Sequence, residues 1–137
     1  MSAKVGVVAF ALAVGLGLPA GIVPALKRNT IVDRVILFFT TLGIAMPSFI
    51  VATLLLYLFG VNLGWVKTVG IQGFSSYILP AFSLAFYPMS YISRLMRSNM
   101  LDALGQDYIR TARAKGMSQR VVLYKHALRN SIIPVIT

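Results

Sequence analysis

Side chains with acid–base, nucleophilic or metal-binding chemistry are few in this chain of 137 residues and lie far apart in its sequence. The acids are Asp33, Asp102 and Asp107, the one histidine is His126, and cysteine is absent. A thiolate or histidine metal cluster and a disulfide framework are therefore excluded from this sequence. Three acidic residues also offer little for catalysis by a pair of carboxylates. We predict no enzyme activity, no catalytic residue, no metal and no bound cofactor.

Basic side chains form the one dense polar feature, which extends from Asp107 to Pro134 between two apolar runs. Its cations are Arg110, Arg113, Lys115, Arg120, Lys125 and Arg129. Two interpretations stay open on these residues alone. The stretch is either a basic loop held near anionic lipid, or a segment whose small Thr111, Ala112 and Ala114 let a partner approach the backbone closely.

Glycine and capping residues divide this stretch into two short helices. Gly105 is expected to end the preceding helix, Asp107 to cap the next one, and Gly116 to supply the left-handed residue that closes it. That leaves a helix from Tyr108 to Lys115 before Ser118 offers a second cap. A helix of roughly eight residues is marginal in water, so it needs a surface to lie on. We expect that surface to belong to another molecule rather than to this chain.

Composition places the chain among membrane proteins, because 58% of its residues are hydrophobic and only 12% are charged. Three apolar runs are predicted to span the bilayer at about residues 5–26, 35–60 and 77–98, and a further span is predicted to start at 131–137. The first run is about 33 Å long at helical rise, which is enough to cross. A signal peptide is its competing interpretation. The predicted fold class is an all-α membrane protein with polytopic transmembrane helices.

The distribution of the thirteen basic residues predicts the sidedness of the loops. Loops 27–34 and 99–130 hold most of them and are expected to be cytoplasmic. Loop 61–76 has Lys67 as its one charge and Trp65 at a predicted lipid boundary, so it is expected to be external. The net charge of +10 does not indicate nucleic-acid binding, since no nucleic-acid motif accompanies it.

Prolines interrupt two of the apolar runs. Pro47 lies near the middle of the second run and Pro88 lies inside the third, and each should bend or break its helix. Thr40, Thr41 and Ser48 are near enough to Pro47 to satisfy the freed backbone carbonyl. A packing kink and a residue lining a transport pathway remain alternative interpretations of both prolines.

Two spacing patterns predict packing rather than a binding site. Gly17 and Gly21 form a GxxxG pair, which favours close helix approach. A helix continuing to Leu104 would carry Met96, Met100 and Leu104 on one face, and such a stripe is typical of contact with a neighbouring helix.

The source of energy for any transport is constrained by residues that are missing. No Asp, Glu, Lys, Arg or His lies within 5–26, 35–60 or 77–93, whereas ion-coupled carriers usually place such groups at the membrane midplane. No P-loop pattern GxxxxGK[ST] occurs either, so this chain is not expected to bind ATP in that mode. Energy would have to reach it from a partner.

The polar stretch also carries a family resemblance. RTARAKG, followed by a basic helix ending in HALRNSIIP, resembles the cytoplasmic EAA loop of ABC-importer permease subunits. DYIRTARAKG together with HALRNSIIP is similar, more narrowly, to the dipeptide, oligopeptide and nickel branch, and GVNLGW at residues 60–65 resembles its B-type subunit. Arg110 and Thr111 stand where the wider family has Glu-Ala, and Arg129 stands where it often has Pro. Both departures resemble the residue preferences of the peptide branch.

The resemblance implies a type I ABC-importer transmembrane domain in a bacterial or archaeal cell membrane. Residues 99–130 would be a coupling loop whose helix, Tyr108 to Gly116, lies in a groove of a separate ATPase subunit that binds the ATP. Its expected coupling residues are Asp107, Tyr108, Arg110, Thr111, Ala112, Arg113, Lys115 and Gly116. The other implied partners are a second permease subunit, an external substrate-binding protein and membrane lipid. The family's greater number of spans implies that this chain is a fragment lacking the first span and the last two.

Overall fold

The computed structural model describes residues 2–66 and 75–137, and within these ranges nearly every residue is helical and none is in a strand. The helices are α1 (Ser2–Leu26), α2 (Ile31–Ala45), α3 (Ser48–Leu55), α4 (Ser75–Leu104), α5 (Asp107–Ala114), α6 (Gln119–Val121) and α7 (Arg129–Ile136). A π-helical stretch, Leu56–Asn62, continues α3, and a second one, Val122–Leu128, joins α6 to α7. Helical backbone therefore runs without a break through position 130, where the sequence predicts the end of a loop.

The long helix α4 is the centre of the bundle and contacts α1, α2, α3 and α7. Its most extensive packing is against α1, which carries the predicted GxxxG pair. A Cβ atom built on Gly21 would lie 2.5 Å from the carbonyl oxygen of Ser93, and one on Gly17 would lie 3.0 Å from that of Met89. These glycines let the two backbones come together, so the predicted packing role is confirmed.

The second apolar run is divided at Pro47, as predicted. Met46 has an extended backbone because a residue that precedes proline is disfavoured in the helical region. Pro47 then precedes α3, and the two helical pieces Ile31–Ala45 and Ser48–Asn62 meet at 112°. Thr40 and Thr41 were expected to donate to the carbonyl that Pro47 leaves without a donor, and this expectation is wrong. Both hydroxyls donate instead to the Leu37 carbonyl, which lies earlier in α2.

Among the described residues, one helix is long and apolar enough to cross a bilayer by itself, Ala3–Leu26, and the bent pair of α2 and α3 counts as a second if it forms one span. Helix α4 is longer, with 30 residues, and stays helical through Pro88. Its serines, tyrosines and prolines lower its mean hydropathy. Three complete spans therefore remain a prediction. The predicted external loop 61–76 is described only to residue 66, and Lys67 lies outside the described residues.

One end of the bundle is closed by an apolar cluster that we call the end cluster. Its buried members are Ala25, Met96, Met100, Ala103, Ile109, Ala112, Val122 and Ala127. Met96 and Met100 are fully buried there and Leu104 packs against them, so the predicted methionine stripe is confirmed as packing. The end cluster joins the last turns of α1 and α4 to α5 and to the second π-helical stretch.

Candidate functional site

Helix α5 lies on the chain's own surface, which corrects the expectation that only another molecule could support it. Ile109 is 0% exposed and Ala112 is 6% exposed, and both belong to the end cluster. Their spacing of three residues places them on one face of the helix. Packing of that face on the second π-helical stretch, in a cluster that also holds Ala25 of α1 and Met96 and Met100 of α4, compensates for a length too short for stability in isolation.

The beginning of α5 differs from the prediction. Gln106 is the N-cap, and no side chain caps the helix. Asp107 is instead the first helical residue, where its negative charge still favours the positive end of the helix dipole. Its side chain is 95% exposed and lies 3.6 Å from Arg110, a separation at which a surface ion pair contributes little to stability.

The end of α5 is closed by Gly116, as predicted, with φ of +76°. The N–H of Met117 donates to the Ala112 carbonyl over 3.3 Å, and the N–H of Gly116 donates to the Arg113 carbonyl over 3.0 Å. This pair of bonds is the Schellman motif, which satisfies carbonyls that a helix end leaves unpaired. Ser118 occupies the next N-cap position, but its side chain donates or accepts no capping bond.

The outward face of α5 and its neighbours is cationic and accessible. The exposed basic residues are Arg110, Arg113, Lys115, Arg120, Lys125 and Arg129. Tyr108 and Thr111 are also exposed, and they border a shallow cleft of about 220 Å³ whose further lining residues are Ala112, Lys115, Met117 and His126. Of the predicted coupling residues, only Ala112 faces the interior. The structure thus offers a helix that is anchored on one side and open on the other.

A buried ion pair that the sequence analysis missed joins the α1–α2 turn to α4. Arg97 donates from Nε to Oδ1 of Asp33 and from Nη2 to Oδ2, each over 2.8 Å, and Asp33 is 2% exposed. The Asn29 N–H donates to Oδ2 as well, over 2.9 Å, and the hydroxyl of Thr30 caps α2 by accepting from the Asp33 N–H.

The surroundings of Asp33 stabilise its charged form. Its hydrogen bond with Arg97 lowers the pKa of the Asp33 carboxyl below its ordinary range, and the Asn29 N–H acts in the same direction, although burial opposes them. Thr30 and Asp33 have the spacing of a helix-capping pair, which is a local signal. No sequence pattern indicates a partner 64 positions away.

The two prolines that the sequence singled out are brought together. Pro47, at the break between α2 and α3, and Pro88, inside α4, line one open cavity of about 370 Å³. Met46, Ser48, Leu84 and Tyr87 are among its other lining residues, with Ile44 and Ala45. Since Pro88 has no N–H, the Leu84 carbonyl loses its usual helical donor at this cavity. The arrangement supplies backbone acceptors in an otherwise apolar wall.

Comparison with known families identifies the chain. Residues 17–137 match the family described as the binding-protein-dependent transport system inner membrane component. The chain belongs to this family. The match covers the helices α4 and α5, the end cluster and the break at Pro47, and it begins at Gly17, the first of the two close-packed glycines.

Individual members of this family align with the whole chain or nearly all of it. The oligopeptide transport system permease protein OppB of Haemophilus influenzae is 43% identical over 139 residues, which cover 100% of this chain and 45% of that protein. The dipeptide transport system permease protein DppB of Bacillus subtilis is 44% identical over 137 residues, covering 100% of this chain and 44% of that protein. The glutathione transport system permease protein GsiC of Salmonella choleraesuis is 45% identical over 125 residues, covering 91% of this chain and 41% of that protein.

The chain spans a little under half the length of the curated relatives that it matches. These relatives are transport permeases and not enzymes, as predicted from the scarcity of catalytic side chains. The binding-protein-dependent permease family is a family of inner membrane components, so the chain belongs to a membrane-embedded protein.

Proposed function

We propose that this chain is part of the transmembrane permease subunit of an ATP-driven importer, and that α5 is the element through which a separate ATPase subunit drives it. The observation that carries the proposal is the division of α5 into two faces. Ile109 and Ala112 seat the helix in the end cluster, against the second π-helical stretch, while Arg110, Thr111 and Arg113 face outward. A short helix fixed in this way can transfer a push from a partner to the bundle without unfolding.

The cavity between Pro47 and Pro88 is the proposed pathway element. Broken helices in membrane proteins are tolerated where the irregular backbone lines a cavity, because water or solute then satisfies the freed polar groups. The wall here combines such backbone with Ser48 and the exposed ring of Tyr87. A peptide backbone carries the matching donors and acceptors.

The proposed substrates are short peptides or related small solutes such as glutathione. This choice is supported by the names of relatives that align along the chain. The proposed partners are two ATPase subunits, a second homologous permease subunit and an external substrate-binding protein, with α1, the pair of α2 and α3, and α4 each crossing the membrane. Residues 27–34 and 99–130 are proposed to face the cytoplasm.

A charge-reversal experiment tests the role of α5. The gene that encodes this chain is expressed with its genomic neighbours, and the tagged permease is purified in nanodiscs. The Arg110→Glu, Arg113→Glu double variant is expected to retain less than about a tenth of the co-purifying ATPase subunit, because coupled charge contacts across an interface are commonly worth more than 1.4 kcal/mol. The variant should reach the membrane at wild-type abundance, since both side chains are exposed.

The matched control reverses two exposed charges outside α5, as Arg120→Glu, Lys125→Glu. A docking helix predicts that this control keeps the ATPase. A small basic membrane protein that binds anionic lipid is the alternative function, and it predicts that both double variants lose vesicle binding equally, in a manner that depends on salt and anionic lipid. If wild-type protein co-purifies with no ATPase under any salt condition, the proposed function is wrong.

A further inference from the structure

The ion pair of Asp33 and Arg97 fixes the orientation of α2 relative to α4. A guanidinium and a carboxylate joined by two parallel bonds constrain direction as well as distance, because both groups are planar. The Asp33 side chain is 3% exposed and that of Arg97 is 20% exposed, so solvent screens the pair weakly. The further bond from Asn29 ties the preceding turn to the same carboxylate.

The pair lies directly beside the support of α5. Arg97 follows Met96 in α4, and Met96 and Met100 are the large buried side chains of the end cluster that also holds Ile109. The second π-helical stretch contacts both α5 and α4, so a displacement of α5 would reach the turn of α4 that carries Arg97 through that stretch and the end cluster. The two bonds of Arg97 connect this turn of α4 to the first turn of α2.

Helix α2 is held to α4 near its other end as well. A Cβ atom built on Gly43 would overlap the hydroxyl of Ser90, so the backbone of α2 lies directly against the Ser90 side chain there. With Asp33 near its start and Gly43 near its end both fixed, α2 is expected to move with α4 as one body. The next point along the chain is the break at Met46 and Pro47, where the helical pieces meet at 112°.

We propose that Asp33 and Arg97 are positioning residues that transmit the movement of α5 to the break between α2 and α3. The inference rests on the proposed function, because it needs an ATPase that moves α5. It adds the route by which that movement reaches the cavity at Pro47. Without the ion pair, α4 follows α5 while the start of α2 is left behind, and the cavity wall does not respond.

A single-cysteine label at the break measures this response directly. The 137 residues contain no cysteine, so Ser48→Cys places one reactive thiol at the cavity wall, with any other cysteines of the complex replaced by serine. The complex in nanodiscs is labelled with a maleimide, with and without ATP and vanadate. In otherwise wild-type protein, the labelling rate is expected to change with nucleotide.

Arg97→Gln is expected to reduce this nucleotide-dependent change about tenfold, which is within the range of coupling energies carried by packed networks. The amount of co-purifying ATPase should stay within about twofold of wild type, because the exposed face of α5 is unaltered. Arg94→Gln is the matched control. It removes the same charge from the same helix at an exposed position and should leave the labelling response intact.

The inference is overturned if Arg97→Gln shows the same nucleotide-dependent change in labelling rate as otherwise wild-type protein. It is also overturned if the labelling rate of otherwise wild-type protein does not change with nucleotide while the ATPase is bound. Both results leave the proposed function standing, whereas loss of the ATPase from wild type removes the proposed function itself. A purely structural role predicts that assembly falls together with labelling. If Arg97→Gln does not assemble with the ATPase, Arg97→Lys replaces it in the test. Lysine keeps the positive charge without the planar guanidinium, so this variant should assemble and show only a small nucleotide-dependent change in labelling rate. A full response in Arg97→Lys overturns the inference.

Discussion

Ile109 of α5 and Met96 of α4 are both fully buried in the end cluster, which makes the two helices parts of one packed unit. Helix α5 has only eight residues and does not draw its stability from its own backbone bonds. It draws stability from one apolar face that is packed in the end cluster, against the second π-helical stretch. A partner that grips the opposite face therefore acts on the bundle through apolar contacts already present.

The first prediction removes that support. Ile109→Ala should weaken the attachment of α5 by about 3 kcal/mol, a typical cost for deleting a buried branched side chain. Local opening would then expose the backbone around Arg110 and Arg113 to trypsin. Limited proteolysis in detergent should show cleavage at these sites accelerated at least about tenfold.

The control for this prediction is Val121→Ala, which shortens an aliphatic side chain that is 40% exposed. It should leave the cleavage rate unchanged, because little buried contact is lost. Equal protection of Arg110 and Arg113 in Ile109→Ala and in the control would show that the end cluster does not hold α5.

Local signals in the sequence predict the closing end of α5 better than its start or its surroundings. Gly116 was predicted from glycine's tolerance of positive φ, and that signal needs no tertiary information. The seat of α5 was not predicted, since Ile109 and Ala112 form an apolar pattern of only two residues. A pattern so short does not say which surface will cover it. Ala112, which is predicted to be a coupling residue, is 6% exposed in the end cluster and also lines the cleft beside Tyr108.

Long-range pairing was the least predictable feature. Asp33 was interpreted as part of a polar turn, because a carboxylate between basic neighbours is usually solvated there. Its partner in α4 is brought close by the packing of α2 against α4, which is a tertiary event. The break at Pro47 was predicted from the missing N–H, but its angle of 112° depends on contacts between α3 and α4.

The second prediction concerns the close approach of α1 to α4. Gly21→Ala should lower stability by about 1–3 kcal/mol, the usual cost of overpacking, because the new Cβ meets the Ser93 carbonyl and the Met96 side chain. Gly15→Ala is the control in the same helix, where a Cβ meets nothing within 4 Å. It should raise stability by about 0.5–1 kcal/mol through helix propensity. Thermal unfolding midpoints in detergent should shift in opposite directions, and a shared direction would contradict the packing argument.

The third prediction tests the closing residue of α5. Gly116→Val should cost about 1–2 kcal/mol, because a β-branched residue is strained at positive φ. Space is not the cause, since a Cβ on Gly116 meets no atom within 4 Å. The variant should enter the membrane normally and co-purify with less ATPase. Gly116→Asn, which tolerates the left-handed conformation, should restore most of that binding. Equal losses in the valine and asparagine variants would exclude backbone strain as the cause.

The fourth prediction follows from the lowered pKa of Asp33. A carboxyl whose pKa is lower in the folded state than its ordinary value of 3.8 stabilises the fold above that pH. The stabilisation is lost as pH falls through the folded-state pKa. Asp33→Asn cannot titrate, so wild type should be more stable by a constant margin between about pH 5 and 8, and the margin should shrink below the ordinary pKa. Thermal inactivation in detergent across this range measures the margin. Asp102→Asn removes an exposed acid and should show no such dependence on pH. If the difference in stability between wild type and Asp33→Asn stayed constant below the ordinary pKa, the ion pair would not stabilise the folded chain.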